Sequence, residues 1–266
     1  MVPNKFKRNV AKHFFQPTSD RWIIDKIVRK SMNIYYSSMD DAERNSFYQD
    51  LWGGEAGTSW TEFKRAKYSK GEMGIFLTKI RQPFVKMVID FLKKNKDYKL
   101  ILDTGTGPGE LIFELFNILG IGYKFIGIDL NNFSIKRNIE KAGEMGFSKN
   151  IDFECMEASK WLESKTYIDN ILVLSVATLK FFPKTQLEMF LTLIKRRCRK
   201  AAIALCEEVF YDYPKSKDSL YIDNLSFAHN YEELFKKIGY KINTIEIRQN
   251  DQNAPYINHL YAIASY

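Results

Sequence analysis

Cysteine and histidine are both scarce, three of each in 266 residues. The cysteines, Cys155, Cys198 and Cys206, fall in expected strands and a helix without metal-ligand spacing, so no metal site is expected. They read as buried thiols of a protein kept in a reducing compartment. No apolar run reaches the roughly eighteen residues that cross a bilayer, and the first residues lack the apolar core of a secretory signal. These absences lead us to expect a soluble, cytoplasmic protein without a transmembrane segment.

Acids are fewer than bases, 32 against 40, which gives a formal net charge of +8. The excess is scattered, and the one dense run is Lys195-Arg-Arg-Cys-Arg-Lys200. Leu187, Phe190, Leu191, Ile194 and Cys198 keep a helical apolar stripe through it. The bases therefore belong to a solvated face at the favourable C-terminal end of a helix, not to a nucleic-acid surface. Residues 1–16 contain Lys5, Lys7, Arg8 and Lys12, no acid, and Phe6, Val10, Phe14 and Phe15 at helical spacing. We read them as a lid or packing arm, with a transit or membrane-touching segment as the alternative.

Two nucleotide signatures are missing as well. Asp103-Thr-Gly105-Thr106-Gly107-Pro-Gly109 lies between the apolar strand Lys99-Leu-Ile-Leu102 and the helix start Leu111-Ile-Phe-Glu-Leu-Phe116. In a dinucleotide fingerprint the third glycine would stand at Glu110, where a carboxylate repels phosphate. No Gly-Lys-Ser/Thr follows the turn, which excludes the P-loop. Two further expected strands end in acids. Lys124-Phe-Ile-Gly-Ile-Asp129-Leu130 places a carboxylate where a Rossmann unit meets the ribose hydroxyls. Ile151-Asp-Phe-Glu-Cys-Met-Glu157-Ala158 ends in an acid followed by a small residue.

The pattern D-x-G-x-G-x-G, followed by Asp129 and Glu157, resembles the motifs of class I S-adenosylmethionine (SAM) methyltransferases over residues 76–208. The resemblance implies SAM as cofactor. Asp103, Gly105, Thr106, Gly107 and Gly109 would then cradle the methionyl part, with Asp103 favouring its ammonium. Asp129, Leu130 and Asn131 would hold the ribose side, and Glu157 and Ala158 the adenine edge. Arg81 stands where related enzymes reach the SAM carboxylate; an exposed helix arginine is the other reading. No Asn/Asp-Pro-Pro-Tyr follows the fourth strand, where Ser175-Val-Ala-Thr stands instead. That argues against adenine or amide methylation.

The periodicity predicts an α/β chain with a Rossmann-like, doubly wound sheet of about seven strands. Strands are expected near 99–104, 124–130, 151–156, 169–176 and 201–208, with helices near 76–94, 109–119, 134–146 and 184–198 and a short turn near 159–164. A helix containing Tyr231, Leu234, Phe235 and Ile238 closes at Gly239, and the runs 241–248 and 259–266 form a C-terminal antiparallel hairpin. Residues 1–75 are aromatic-rich, with helices near 18–37 and 39–51. We expect them to form a helical cap or arm that contributes to the substrate site, with the SAM-binding domain over 76–266.

Methyl transfer needs a nucleophile held about 3 Å from the sulfonium carbon, desolvated and stripped of its proton where necessary. The acceptor pocket is expected between the cap, the loop 175–182, the loop 207–223 and the final hairpin. Glu207 and Glu208 end the fifth strand, and alternation turns only one of them toward that pocket, as a base or as a partner for an amine. His229 is the best-placed histidine for a general base, or else a surface residue capping the last helix. His13 and His259 are weaker candidates. Ser175 and Thr178 line the site or cap the strand.

Phe47-Tyr-Gln-Asp-Leu-Trp-Gly-Gly-Glu55 is similar to a segment of small-amine N-methyltransferases of the glycine/sarcosine type, and the tail 231–266 looks like that of protein N-terminal amine methyltransferases. The leading expectation is a methyltransferase acting on an oxygen or nitrogen of a small molecule. A protein N-terminus or RNA as acceptor is the second, and a non-catalytic SAM-fold binder the third. The intact set Asp103, Gly105, Gly107 and Asp129 favours catalysis.

Overall fold

Strands β1 (Leu100–Thr104), β2 (Lys124–Asp129), β3 (Ile151–Cys155), β4 (Ile168–Val176) and β5 (Cys198–Phe210) run parallel, β9 (Ile257–Ser265) runs antiparallel to β5, and the edge strand β8 (Lys241–Gln249) runs antiparallel to β9. Together they form a seven-stranded sheet in the order β3-β2-β1-β4-β5-β9-β8. A separate two-stranded hairpin joins β6 (Leu220–Ile222) to β7 (Ser226–Ala228). The structure is a computed structural model that describes residues 30–31, 34–54, 57–58, 72–210, 212–213, 219–222, 226–249 and 257–266. The basic arm with His13, most of the expected helix 18–37, part of the Trp52 to Trp60 segment and the polar loop after Gln249 lie outside the described residues.

The central strands are apolar on both faces, as strands covered by helices on both sides must be. One face packs against α2 (Glu72–Lys94), α3 (Glu110–Leu119) and α4 (Asn132–Glu144), through Phe84, Val88, Leu92, Ile112, Leu115 and Ile135. The other packs against α5 (Ala158–Ser164), α6 (Lys184–Arg197) and α7 (Tyr231–Ile238), through Trp161, Leu187, Phe190, Ile194, Leu234 and Phe235. α7 closes on Gly239 in the left-handed conformation, as its sequence predicts. Ahead of α2, the helix α1 (Asp41–Gly53) starts at a capping box of Asp40 and Glu43 and buries Phe47, Tyr48 and Leu51.

Two expectations need correction. Cys155 is exposed, not buried. Ile151 and Phe153 carry the inward alternation of β3, and Cys155 comes after the core has ended, on an outer strand. Cys198 opens β5 instead of closing α6, because it pairs with Ile168 of β4. The C-terminal runs pair as expected, Ile245 with Ala262 and Ile247 with Leu260, and both isoleucines lie on the edge strand β8, 40% and 39% exposed.

Candidate active site

β1 delivers Asp103 and Thr104, both buried, to the C-terminal edge of the sheet. The chain then turns through Gly105, Gly107 and Gly109, all at positive φ, a region that disfavours side chains. The Thr106 N–H donates to the Ile128 carbonyl at 2.9 Å and the Gly109 N–H to the Thr106 carbonyl at 2.9 Å, which ties the turn to β2 and to itself. Gly105 and Gly107 differ in what faces them. A side chain at Gly105 would run into Thr178, whereas at Gly107 nothing stands within 4 Å of where a Cβ would be. Burial pushes the Asp103 carboxyl up to about 7, against the pull of the Thr106 hydroxyl and with a further push from Asp129.

At the end of β2, Asp129 is held by backbone donors on both oxygens. Gly107 N–H reaches Oδ2 at 2.8 Å and Asn131 N–H reaches Oδ1 at 2.8 Å. Leu130, beside it, accepts from the Cys155 thiol. Asn131 caps α4, its Oδ1 accepting the Ser134 N–H at 2.9 Å, and its Nδ2 donates to the Trp52 carbonyl at 3.2 Å and to Thr58 Oγ1 at 3.1 Å. At the end of β3, Glu157 precedes α5, whose first residue is the buried Ala158. Glu157 Oε2 accepts a bond from Gln49 Nε2 of α1 at 2.8 Å. The three acids thus lie along one edge of the sheet, and α1 is seated on it at Glu157 and Asn131.

Arg81 turns its guanidinium to Glu110 at 2.8 Å and Glu114 at 2.7 Å, bridging α2 to α3 behind the glycine turn. Asn138, which the sequence analysis missed, donates to the Gly107 carbonyl at 2.8 Å. The signal was available: Ser134 and Asn138 sit four residues apart on the buried face of α4, beside Ile135 and Ala142.

Beyond β4 the edge is organised by a buried carboxylate. Glu207 is fully buried, and its Oε1 accepts the Ser175 hydroxyl at 2.5 Å and the Thr178 and Leu179 N–H groups at 3.0 Å each. Its Oε2 accepts the Lys180 N–H at 3.3 Å. Burial raises the Glu207 carboxyl, and these donors oppose that rise. The loop they hold begins at Ala177, a non-glycine residue at φ 53. Glu208 turns to the opposite face of the sheet, as alternation requires, and pairs with Lys180 Nζ at 2.9 Å.

His259 stands opposite Glu208 in the β5–β9 register, and burial holds its imidazole below the usual range, with Glu208 raising it and Lys180 lowering it. His229 is buried, not at the surface. Its Nδ1 lies 2.7 Å from Ser219 Oγ, and its ring stacks on Phe227 at 5.6 Å.

Aromatic rings from distant parts of the sequence meet over this edge. Trp52 and Tyr48 of α1 lie 5.1 Å and 5.5 Å from Phe181 in the loop after β4. Tyr36 contacts Tyr221 at 5.3 Å and Phe227 at 6.3 Å in the β6–β7 hairpin. The neighbouring bases are engaged: Arg44 bonds Asp41 and the carbonyls of Tyr36 and Ser37, and Lys180 pairs with Glu208.

A family model described as a methyltransferase domain matches residues 95–244, more than half of the chain. No curated protein sequence matches. Among solved structures, the fold is similar to that of magnesium protoporphyrin IX methyltransferase from Synechocystis with bound SAM. The TM-score is 0.58 at 16% identity, over 85% of this chain and 98% of that one. It is also similar to 1,6-didemethyltoxoflavin-N1-methyltransferase from Burkholderia thailandensis with bound 1,6-didemethyltoxoflavin and S-adenosylhomocysteine. There the TM-score is 0.52 at 14% identity, over 79% of this chain and 88% of that one.

Proposed function

The chain belongs to the methyltransferase-domain family and is a SAM-dependent methyltransferase, and from that premise we propose that it methylates an oxygen or nitrogen of a small molecule. The residues at the sheet edge fit the cofactor. Gly107 leaves bare backbone with nothing within 4 Å of its missing side chain, room for the methionyl part to lie close. The buried Asp103 regains its charge most easily beside an ammonium. Asp129, oriented by two backbone N–H groups, keeps further lone pairs on both oxygens that would accept from ribose hydroxyls. Glu157 and Ala158 take the adenine edge, and Arg81 supports the turn from behind through Glu110 and Glu114.

Bound SAM supplies an electrophilic methyl carbon on a sulfonium; the protein supplies position, a dry site and a place for the proton. Glu207 acts as a positioning residue, because its carboxylate is occupied by the Ser175 hydroxyl and three loop amides. Proton uptake from the acceptor is assigned to His229, held through Nδ1 by Ser219 beside the aromatic cluster. Residues 1–75 are assigned as the cap, and the three unpaired thiols accord with a cytoplasmic setting. No described helix is long and apolar enough to cross a membrane.

The observation that carries the small-molecule reading is the roof. Tyr48, Trp52 and Phe181 cover the edge with rings, and the nearby Arg44 and Lys180 are already paired, so the cover suits a compact organic acceptor better than a polyanion. The test is to incubate the protein with methyl-labelled SAM and, separately, a low-molecular-weight metabolite extract, total RNA and total protein. Label is expected in the metabolite fraction. Label in RNA or protein instead would contradict the proposal.

A further inference from the structure

The seven-stranded sheet ends on an open edge at β8. Among the described residues this strand has a neighbour on one side only, β9. Edge strands are usually guarded against a second chain by a proline, a short length, a lysine or a bulge. β8 is nine residues long and has no proline. Its lysine, Lys241, and its one irregularity, between Ile242 and Thr244, both lie in its first half. The second half, Ile245-Glu-Ile-Arg-Gln249, is regular and exposed throughout.

The side chains of that half sort onto two faces. Ile245 and Ile247 stand opposite Ala262 and Leu260, on the side of the sheet that α6 and α7 cover, and both remain well exposed. Glu246 and Arg248 stand opposite Tyr261 and His259 on the other side, 2.7 Å from one another and each about half exposed. A lone exposed ion pair of this kind adds little to stability. Its order along the strand, an acid and then a base two residues on, matches itself when the strand is met by an antiparallel copy.

We propose that two copies of this chain associate through β8, antiparallel about a two-fold axis at Ile247, so that their two sheets become one. In that register Glu246 of each copy faces Arg248 of the other, Ile247 faces Ile247, and Ile245 faces Gln249. Residues directly opposite in an antiparallel pair share a face, with Cβ atoms about 4.5 to 5.5 Å apart. The four charges therefore alternate around a square, in which each acid has its own arginine on one side and the second copy's on the other. On the opposite face the isoleucines of both copies meet and lose exposed apolar surface. Neighbouring registers forfeit this match: centring on Glu246 sets acid against acid, and centring on Ile245 sets Arg248 against Ile242 across the bulge. The same patch serves both copies, so the contact closes at two.

The measurement is sedimentation of the full chain from about 1 μM to about 1 mM, because a ladder of this length belongs with the smaller interfaces. The wild type is expected to pass from monomer toward dimer across that range. Glu246→Arg and Arg248→Glu each set like charges against one another across the axis, and each is expected to weaken self-association about tenfold or more. Both positions are exposed, so the fold is expected to survive either change. Mixing the two variants sets arginines of one chain against glutamates of the other, and the mixture is expected to dimerise at concentrations where neither variant does alone. A wild type that stays monomeric throughout, whatever then covers the edge, overturns the proposal. So does a dimer that both single variants leave intact, and so does a mixture that stays monomeric.

Discussion

Ser175 donates a 2.5 Å hydrogen bond to Glu207, from the end of β4 to the adjacent β5, inside a fully buried setting. The same carboxylate gathers the N–H groups of Thr178, Leu179 and Lys180. The loop is thereby pinned with Thr178 against Gly105, Lys180 on Glu208 and Phe181 under the cap. One buried acid sets the distance between the glycine turn and the acceptor edge.

Replacing it should therefore cost more stability than replacing its neighbour Glu208. Glu207→Gln turns one acceptor into a donor that faces donors, and is expected to destabilise the protein by about 1 to 3 kcal/mol. Glu208→Gln weakens one partly buried ion pair but leaves an amide oxygen for Lys180, and is expected to cost about 1 kcal/mol or less. Urea unfolding of both variants separates them; equal losses would show that the loop is not held in this way.

Asp103 gives the protein a pH signature. Its carboxyl sits at about 7 in the folded chain, above its usual value, so the folded state binds the extra proton between about 4 and 7. Stability attributable to this group is present at low pH and falls as pH rises toward 7. A cofactor ammonium would pull the carboxyl back down, so binding should release a proton and tighten as pH rises from 5.5 to about 8. Titrations of S-adenosylhomocysteine in buffers of different ionisation enthalpy measure that proton. Asp103→Asn should bind more weakly and without this pH dependence, and wild-type binding that weakens with rising pH would contradict the assignment.

Cys155 reports on the adenosine end. It is exposed and stands opposite Asp129 in the β2–β3 register, while Cys198 and Cys206 are buried. Burial and the charge of Asp129 push its thiol up, so alkylation should be slow and should speed up with pH. In the native protein, iodoacetamide is expected to modify Cys155 alone, and S-adenosylhomocysteine to slow that reaction. Mass spectrometry reads both, and equal labelling with and without ligand would place the ligand elsewhere.

The sheet was legible because its signals are local. Asp103 and Asp129 close short apolar runs and Glu157 follows an alternating one, each between turn signals, and each glycine of the turn has a backbone angle to explain it. The site's second layer was not legible, because it is built from pairs far apart in sequence. Gln49 meets Glu157 across 108 positions and Asn131 meets Trp52 across 79. Glu207 and Glu208 looked alike as neighbours; only the cores on the two sides of β5 made one a buried loop anchor and the other an ion-pair partner. The β6–β7 hairpin, three residues a strand, is too short to show a period.

The most direct test of the account is a calorimetric titration of S-adenosylhomocysteine into the wild type and into Asp129→Ala. The account predicts one site in the wild type and a loss of about 1.5 to 3 kcal/mol in the variant, a weakening of roughly ten- to a hundredfold. No binding to the wild type, or equal binding to both proteins, would contradict it.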